Sequence, residues 1–310
     1  MKTEKELLKL AEEKGWGYVS SFVKLTKKFI KKYQDKLDWW NMTSRYQTLS
    51  EKFIEKHKNR VNWEGISERQ TLSEGFIEKY ADKVEWRSIS IYQELSEGFI
   101  EKHAKEVEWW WISVYQDLSE AFIEKHADKV NWEGISNSQT LSEGFIDKHA
   151  KEVNWKKISE RQKLSEPFIE KHADKVNWEG ISEYKELSEE FIEKHQDKVN
   201  WKWISNKQKL SEAFIEKHAK EVDWFEVLQN ENNTSILKEE FFEKNREALS
   251  KWINNIDDFH MDLYLDFDKN GIFDYLLNKY SSLQKKSNEN EEVDYFSPKK
   301  VTTKNEGQSR

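Results

Sequence analysis

A leucine recurs at every twenty-third residue through most of the chain, and this period constrains the fold more than any other feature. The spacing is unbroken at Leu49, Leu72, Leu95, Leu118, Leu141, Leu164, Leu187 and Leu210. Each leucine opens a repeat such as LSEGFIEKYADKVEWRSISIYQE, residues 72–94. A repeat this short cannot bury an apolar face alone, so successive repeats must stack and share a core. We number positions from the leucine, position 0, which places a recurrent tryptophan at position 14.

Each repeat is predicted to contain two short helices. The first begins after the serine of position 1, a good N-cap residue, and extends to about the valine of position 12. Positions 0, 4, 5, 8 and 12 then form one apolar arc of about 140°, and the recurrent Glu-Lys pair at positions 6 and 7 faces solvent. The second helix begins at position 13, covers about eight residues and directs Trp, Ile, Ser and Gln inward. The sequence therefore predicts an all-α protein, a right-handed α-solenoid of two-helix repeats.

The ends of the chain depart from the repeat, as capping segments of a solenoid do. We predict an N-terminal helical cap and half repeat in residues 1–24, tandem repeats in 25–224, a degenerate repeat with a helical cap in 225–280, and a disordered tail in 281–310. The tail prediction rests on its polar composition. Within the tail, the sequence EEVDYFSPKK fits either a linear docking motif or ordinary tail sequence.

Composition excludes several classes of function. Cysteine is absent, which rules out disulfides, thiol catalysis and Cys-ligated zinc. The net charge of −8 favours solubility. No run approaches the ~18 apolar residues of a membrane span, and no signal peptide is evident. These observations predict a monomer in the cytoplasm that does not associate with membranes.

The pattern LSEEFIEKH…VNW…IS…Q resembles Trp-containing 23-residue repeats in uncharacterised proteins of phages, large DNA viruses and low-GC bacteria. At the level of architecture the chain is also similar to tetratricopeptide-like α-hairpin repeats, although its period is shorter than their 34-residue motif. The viral likeness spans residues 16–224 and implies no catalytic residue. It implies a location in the host cytoplasm and a host defence or regulatory factor as partner.

Substitutions between repeats concentrate at positions 15, 16, 19 and 20, opposite the inward stripe of the second helix. In the run Trp109, Trp110 and Trp111, the first residue occupies position 14 and the others occupy variable positions. Either exposed positions drift, or they form a ribbon that binds a partner. Recognition is favoured because exposed aromatic clusters promote aggregation unless they bind something, and because the equally exposed Glu-Lys positions barely change. The predicted partner-binding residues are Arg87, Tyr92, Trp110, Trp111, Tyr115, Lys156, Lys157, Arg161, Tyr184, Lys202, Trp203 and Lys207.

The recurrent histidine of position 8 fits either a metal ligand or a packing residue. Tyr33 and Tyr80 replace it in two repeats. Stacked repeats would also hold neighbouring imidazoles a helix-packing distance apart, far beyond the ~2.1 Å bonds of a shared ion. We therefore predict a packing ladder, and a structural role for the repeated Ser and Gln of the second helix.

One candidate metal site lies outside the repeats. Asp266, Asp268 and Asn270 match positions 1, 3 and 5 of a calcium-binding loop, but Leu277 replaces the bidentate Glu of position 12. The loss of that ligand leaves a weak calcium site or none, and an Asn-Gly turn that caps the next helix explains the same residues. We predict no metal and no cofactor.

The function predicted from these features is a non-enzymatic scaffold that binds a protein. The alternative is a reader of single-stranded RNA or DNA, whose aromatic residues stack on bases. The ribbon alternates between acidic residues such as Glu64 and Glu133 and basic residues such as Lys156 and Lys157. A polyanion would be repelled at each acidic repeat, so a protein partner is favoured. An enzyme active in the C-terminal cap is a third possibility, for which the sequence offers little.

Overall fold

The stacking of short helices that the leucine period predicts is present in the computed structural model. The structure describes residues 2–40, 44–233, 238–256 and 272–280, which contain helices and turns and no strand. The chain divides into two compact units, residues 1–162 and residues 163–310. In each unit the second helices of successive repeats pack side by side, as in an α-solenoid.

The first unit opens with α1, Glu4–Phe22, which is kinked at Gly15, where φ is 85°. The first helices of its repeats are α2 Lys27–Lys32, α4 Glu51–Lys56, α6 Glu74–Lys79, α8 Glu97–Lys102, α10 Glu120–Lys125 and α12 Glu143–Lys148. Its second helices are α3 Ser44–Tyr46, α5 Trp63–Arg69, α7 Trp86–Tyr92, α9 Trp109–Tyr115, α11 Trp132–Ser138 and α13 Trp155–Arg161.

The second unit continues the same alternation and ends in irregular helices. The first helices are α14 Glu166–Lys171, α16 Glu189–Lys194 and α18 Glu212–Lys217, and the second helices are α15 Trp178–Tyr184, α17 Trp201–Lys207 and α19 Trp224–Gln229. A 3₁₀ turn follows at Glu231–Asn233, and then α20 Glu239–Lys244, α21 Arg246–Asn254 and α22 Ile272–Tyr280. The segment 281–310, predicted to be disordered, lies outside the described residues.

The first helix of each repeat is shorter than its apolar arc suggests. In the repeat 72–94, the Ser73 hydroxyl accepts from the Phe76 amide at 3.2 Å, as predicted for an N-cap. The helix ends at Lys79, however, and a turn leads to the valine of position 12. The turn is held by the indole of Trp86, which donates to the Ala81 carbonyl at 3.1 Å. Prediction of a helix as far as the valine was therefore wrong.

The core lies between the first and second helices. The isoleucines of positions 5 and 17 are fully buried through the regular repeats, and the predicted apolar arc of the first helix is confirmed. The tryptophan of position 14 is half-buried and packs on the next repeat. The ring of Trp63, for example, lies 6.3 Å from that of Phe76 and 5.0 Å from that of Tyr80. Each tryptophan thus couples its own repeat to the following one.

The glutamine of position 21 joins adjacent repeats through three hydrogen bonds. Gln93 donates from Nε2 to the carbonyls of Ser67, at 2.9 Å, and Gln70, at 2.8 Å. Its Oε1 accepts from the Leu72 amide at 2.9 Å. The Ser67 hydroxyl also accepts from the Glu85 amide of the next repeat at 2.9 Å. These contacts confirm the structural role predicted for Gln and Ser.

The Glu-Lys pair of positions 6 and 7 forms an ion-pair ladder between repeats. Each lysine binds the glutamate of the preceding repeat in the pairs Lys79–Glu55, Lys102–Glu78, Lys125–Glu101, Lys148–Glu124, Lys194–Glu170 and Lys217–Glu193. The hydrogen bond from Lys79 lowers the pKa of the Glu55 carboxyl below its ordinary value. The constancy of these exposed positions therefore has a structural cause, and it no longer counts as evidence that the variable positions bind a partner.

Candidate partner-binding face of the second helices

The four variable positions of the second helix separate into two classes. Residues at positions 15 and 20 are exposed in the regular repeats, whereas those at positions 16 and 19 are buried or half-buried between adjacent second helices. A Cβ atom added to Gly134, at position 16, would lie 2.9 Å from Cγ2 of Val114, at position 19 of the preceding repeat. Similarly, the Asn206 amide donates to Glu226 at 2.5 Å. Two of the four variable positions, 16 and 19, therefore lie at contacts between repeats, although the sequence predicted that they would be exposed.

The twelve residues predicted to bind a partner divide in the same way. Trp111, Lys157 and Trp203 stand at position 16 and are half-buried. Lys157 is further engaged by Glu160, at 3.3 Å. The exposed members are Arg87, Tyr92, Trp110, Tyr115, Lys156 and Arg161 in the first unit, and Tyr184, Lys202 and Lys207 in the second. These exposed residues are the ones available to a partner.

The three consecutive tryptophans have three different environments. Trp109 packs on Phe122 and His126 of the next repeat, with ring centroids 6.2 and 5.0 Å apart. The rings of Trp110 and Trp111 pack edge to face, with their centroids 4.1 Å apart. Trp110 itself is 48% exposed. Of the two tryptophans at variable positions, Trp110 is thus the exposed one, and the half-buried Trp111 packs against its ring.

Trp111 forms the floor of a small surface on helices α7 and α9, which pack against each other. The ring centroids of Trp111 and Tyr115 are 5.7 Å apart, and the Arg87 guanidinium lies over the Trp111 ring, 5.1 Å from its centroid. Tyr115 is 54% exposed and Tyr92 is 55% exposed. We call Arg87, Tyr92, Trp110, Trp111 and Tyr115 the aromatic surface.

Arg87 gives the aromatic surface its charge. Its guanidinium makes no ion pair with any residue that the structure describes. By contrast, Arg45 binds Glu64 and Glu68, each at 3.0 Å, and Arg69 binds Glu68 at 2.9 Å. The charges of Arg45 and Arg69 are therefore balanced by carboxylates of the chain, while the Arg87 guanidinium can bind a carboxylate of a partner.

Sequence reasoning missed three further exposed aromatic residues, which occupy positions 15 and 20. Trp40, 65% exposed, occupies position 15 of the irregular repeat. Tyr46, 57% exposed, precedes Gln47, whose amide donates to the Ser20 carbonyl at 2.8 Å as a position-21 glutamine does. Tyr46 therefore occupies position 20, as does Phe22 of the half repeat, two residues after Ser20 and 71% exposed. Counting one residue back from Gln47 and two residues forward from Ser20 would have identified Tyr46 and Phe22.

The histidines pack as predicted. His126 lies between Phe122, with ring centroids 4.6 Å apart, and Trp109. Its buried Nε2 makes no hydrogen bond. Burial, assisted by the nearby Lys129 charge, lowers the pKa of His126 below its ordinary value. The described part of the chain contains no group of three or more His, Asp or Glu side chains that could hold a metal ion. The candidate calcium ligands Asp266, Asp268 and Asn270 lie outside it.

Comparisons of the chain with protein-family models, with curated proteins and with solved structures found no match. No helix in the ranges that the structure describes is both long enough and apolar enough to cross a membrane.

Proposed function

We propose that this chain is a non-enzymatic repeat scaffold that binds a protein partner through positions 15 and 20 of its second helices. One observation carries the proposal. Every large exposed hydrophobic side chain among the described residues stands at one of these two positions: Phe22, Trp40, Tyr46, Tyr92, Trp110, Tyr115 and Tyr184. Aromatic side chains on a solvated surface are costly unless a partner covers them.

Relaxed substitution of exposed residues does not produce this distribution. Positions 3 and 22 are exposed in every regular repeat and also vary. Position 3 holds Lys, Gly, Ala, Pro and Glu, and position 22 holds Thr, Glu, Asp and Lys. Neither position carries an aromatic residue in any repeat from 72 to 209. The restriction of exposed aromatic side chains to two positions of the second helix supports selection for binding.

The charges on this face favour a folded protein over a nucleic acid. Glu64 and Glu133 occupy exposed position 15 on either side of the aromatic surface. A polyanion that followed the second helices would meet both carboxylates. A protein can instead insert apolar side chains between Tyr92, Trp110 and Tyr115 and direct one carboxylate to Arg87, as anchors do at interface hot spots. The resemblance to viral repeats adds the proposal that the partner is a host defence or regulatory factor.

The proposal is tested by capture of partners from native lysate with the intact chain. Trp110→Ala combined with Tyr115→Ala should reduce binding at least tenfold, whereas Glu94→Ala combined with Asp117→Ala, at exposed position 22, should not. Hot-spot aromatics of this kind contribute about 2 kcal/mol or more. Equal capture by both variants would contradict the proposal. Submicromolar binding of single-stranded RNA at physiological salt, lost when Lys156 and Lys157 are replaced, would establish nucleic-acid binding in its place.

A further inference from the structure

The second unit carries a patch that differs in charge from the aromatic surface. Helix α17 presents Lys202 and Lys207 at exposed positions 15 and 20 and contains no acidic residue. The half-buried Trp203 lies between them in sequence, and the Lys207 ammonium lies 5.8 Å from the centre of its ring. Tyr184, 56% exposed, projects from the neighbouring α15. We call Tyr184, Lys202, Trp203 and Lys207 the basic-aromatic patch.

The charge of this patch is available to a ligand. Lys202 has an exposed side chain, 64%, and its single ion pair, with Glu226, is long at 3.7 Å. Lys207 contacts an aromatic ring and no carboxylate of a described residue. An occupant that combines carboxylates with aromatic side chains would match both properties of the patch.

The C-terminal segment of the same chain has this composition. Between Lys286 and Lys299 it contains Glu289, Glu291, Glu292 and Asp294 and no basic residue. Tyr295 and Phe296 follow directly. The block therefore places four acidic residues immediately before two aromatic residues.

The connection to the last helix is long enough for this segment to reach the patch. Helix α22 ends at Tyr280 and packs against α19, which packs against α17. Two helix-packing distances amount to roughly 20 Å. The nine residues from Tyr280 to Glu289 can span up to about 30 Å. A tether of this length also gives an effective concentration in the millimolar range, so that even a weak contact is occupied.

We propose that residues 289–296 dock on the basic-aromatic patch of their own chain. The carboxylates neutralise Lys202 and Lys207, and Tyr295 and Phe296 cover Tyr184 and Trp203. The consequence of this docking rests on the proposed function. The docked segment would cover the binding-face residues of the second unit, Tyr184, Lys202 and Lys207, and would leave the aromatic surface accessible to the partner.

The absence of cysteine allows a direct distance measurement on the full chain. Spin labels are attached at Lys209→Cys, an exposed residue just after α17, and at Ser297→Cys, beside the docking segment. Docking predicts a narrow population of interspin distances within about 20 Å. Lys202→Glu combined with Lys207→Glu should abolish this population, and adding Glu291→Lys with Glu292→Lys should restore it. Reversal of Lys156 and Arg161, a basic pair without exposed aromatic neighbours on its helix, should leave it unchanged.

Two outcomes would overturn the proposal. One is a single broad distance distribution that charge reversal does not alter. The other is a short distance that survives charge reversal, which would place the segment on a different site. Neither outcome bears on partner capture through Trp110 and Tyr115, so failure of tail docking can be distinguished from failure of the proposed function.

Discussion

Gln116→Leu tests the hydrogen bonds that join one repeat to the next. The Gln116 amide donates to the carbonyls of Ser90, at 3.0 Å, and Gln93, at 2.8 Å, and accepts from the Leu95 amide at 3.0 Å. The side chain is 5% exposed. Leucine fills a similar volume, so the substitution removes the hydrogen bonds without opening a large cavity.

The expected loss follows from the groups left unpaired. Two backbone carbonyls and one amide lose their partner, and each buried unsatisfied group costs about 1–3 kcal/mol. Because the glutamine's own amide no longer has to be desolvated, we expect a decrease in the free energy of unfolding of roughly 3–6 kcal/mol.

At the end of the regular repeats, two asparagines together make the three hydrogen bonds that one glutamine makes elsewhere. Asn230 donates to the Ser205 and Gln208 carbonyls and Asn233 accepts from the Leu210 amide, so the same three backbone groups are satisfied where the register changes.

Urea unfolding followed by circular dichroism measures the effect. The matched control is Asp117→Leu, at the adjacent exposed position 22, which should change the free energy of unfolding by less than about 0.5 kcal/mol. A loss below 1 kcal/mol for Gln116→Leu, indistinguishable from the control, would show that the glutamine ladder does not hold the repeats together.

Three further predictions concern the faces of the repeat and metal binding. Trp132→Ala should lower the free energy of unfolding, measured in urea, by about 3 kcal/mol, because a large ring packed between repeats is lost. Its control, Glu133→Ala at an exposed position, should change the free energy of unfolding little. Equal effects of the two substitutions would contradict the assignment of buried and exposed faces. Burial lowers the pKa of His126 in the folded state, so its stability contribution is complete above the unfolded pKa of about 6.5 and declines as the pH falls through that value toward the folded pKa. His126→Tyr should therefore reduce the loss of stability between pH 7.5 and pH 5, and an unchanged loss would refute a role for this imidazole. Calorimetry should detect no calcium binding tighter than about millimolar, whereas a micromolar signal abolished by Asp266→Ala would show that the loop binds calcium without its position-12 carboxylate.

Periodicity predicted the fold because each buried position is repeated many times. The leucine spacing and the two apolar stripes identify the helices, the stacking and the buried side chains. The end of the first helix could not be read in the same way. The turn after Lys79 retains hydrogen bonds of helical spacing, such as that from the Val84 amide to the Tyr80 carbonyl at 3.0 Å, so the apolar pattern continues past the helix.

The candidate face was predicted less completely, for a physical reason. A helical wheel gives the direction of a side chain relative to its own axis and carries no information on where the next helix lies. Positions 16 and 19 therefore looked exposed, although Val114 and Gly134 meet between adjacent helices. The Glu-Lys ladder was likewise hidden, because both members are nearly constant and pair across repeats. Lys102 and Glu78 are 24 residues apart, and this pairing is visible only once the stacking is known.

Footprinting of the chain in complex with its captured partner tests most directly whether the second helices form the binding face. Hydroxyl-radical oxidation should decrease at Tyr92, Trp110 and Tyr115 on complex formation, because the partner excludes water from these rings. Acetylation of the ladder lysines Lys102 and Lys125, on the first helices, should remain as in the free chain. Protection of the ladder lysines, with undiminished oxidation of the three aromatic side chains, would place the partner on the first helices and contradict the proposed function.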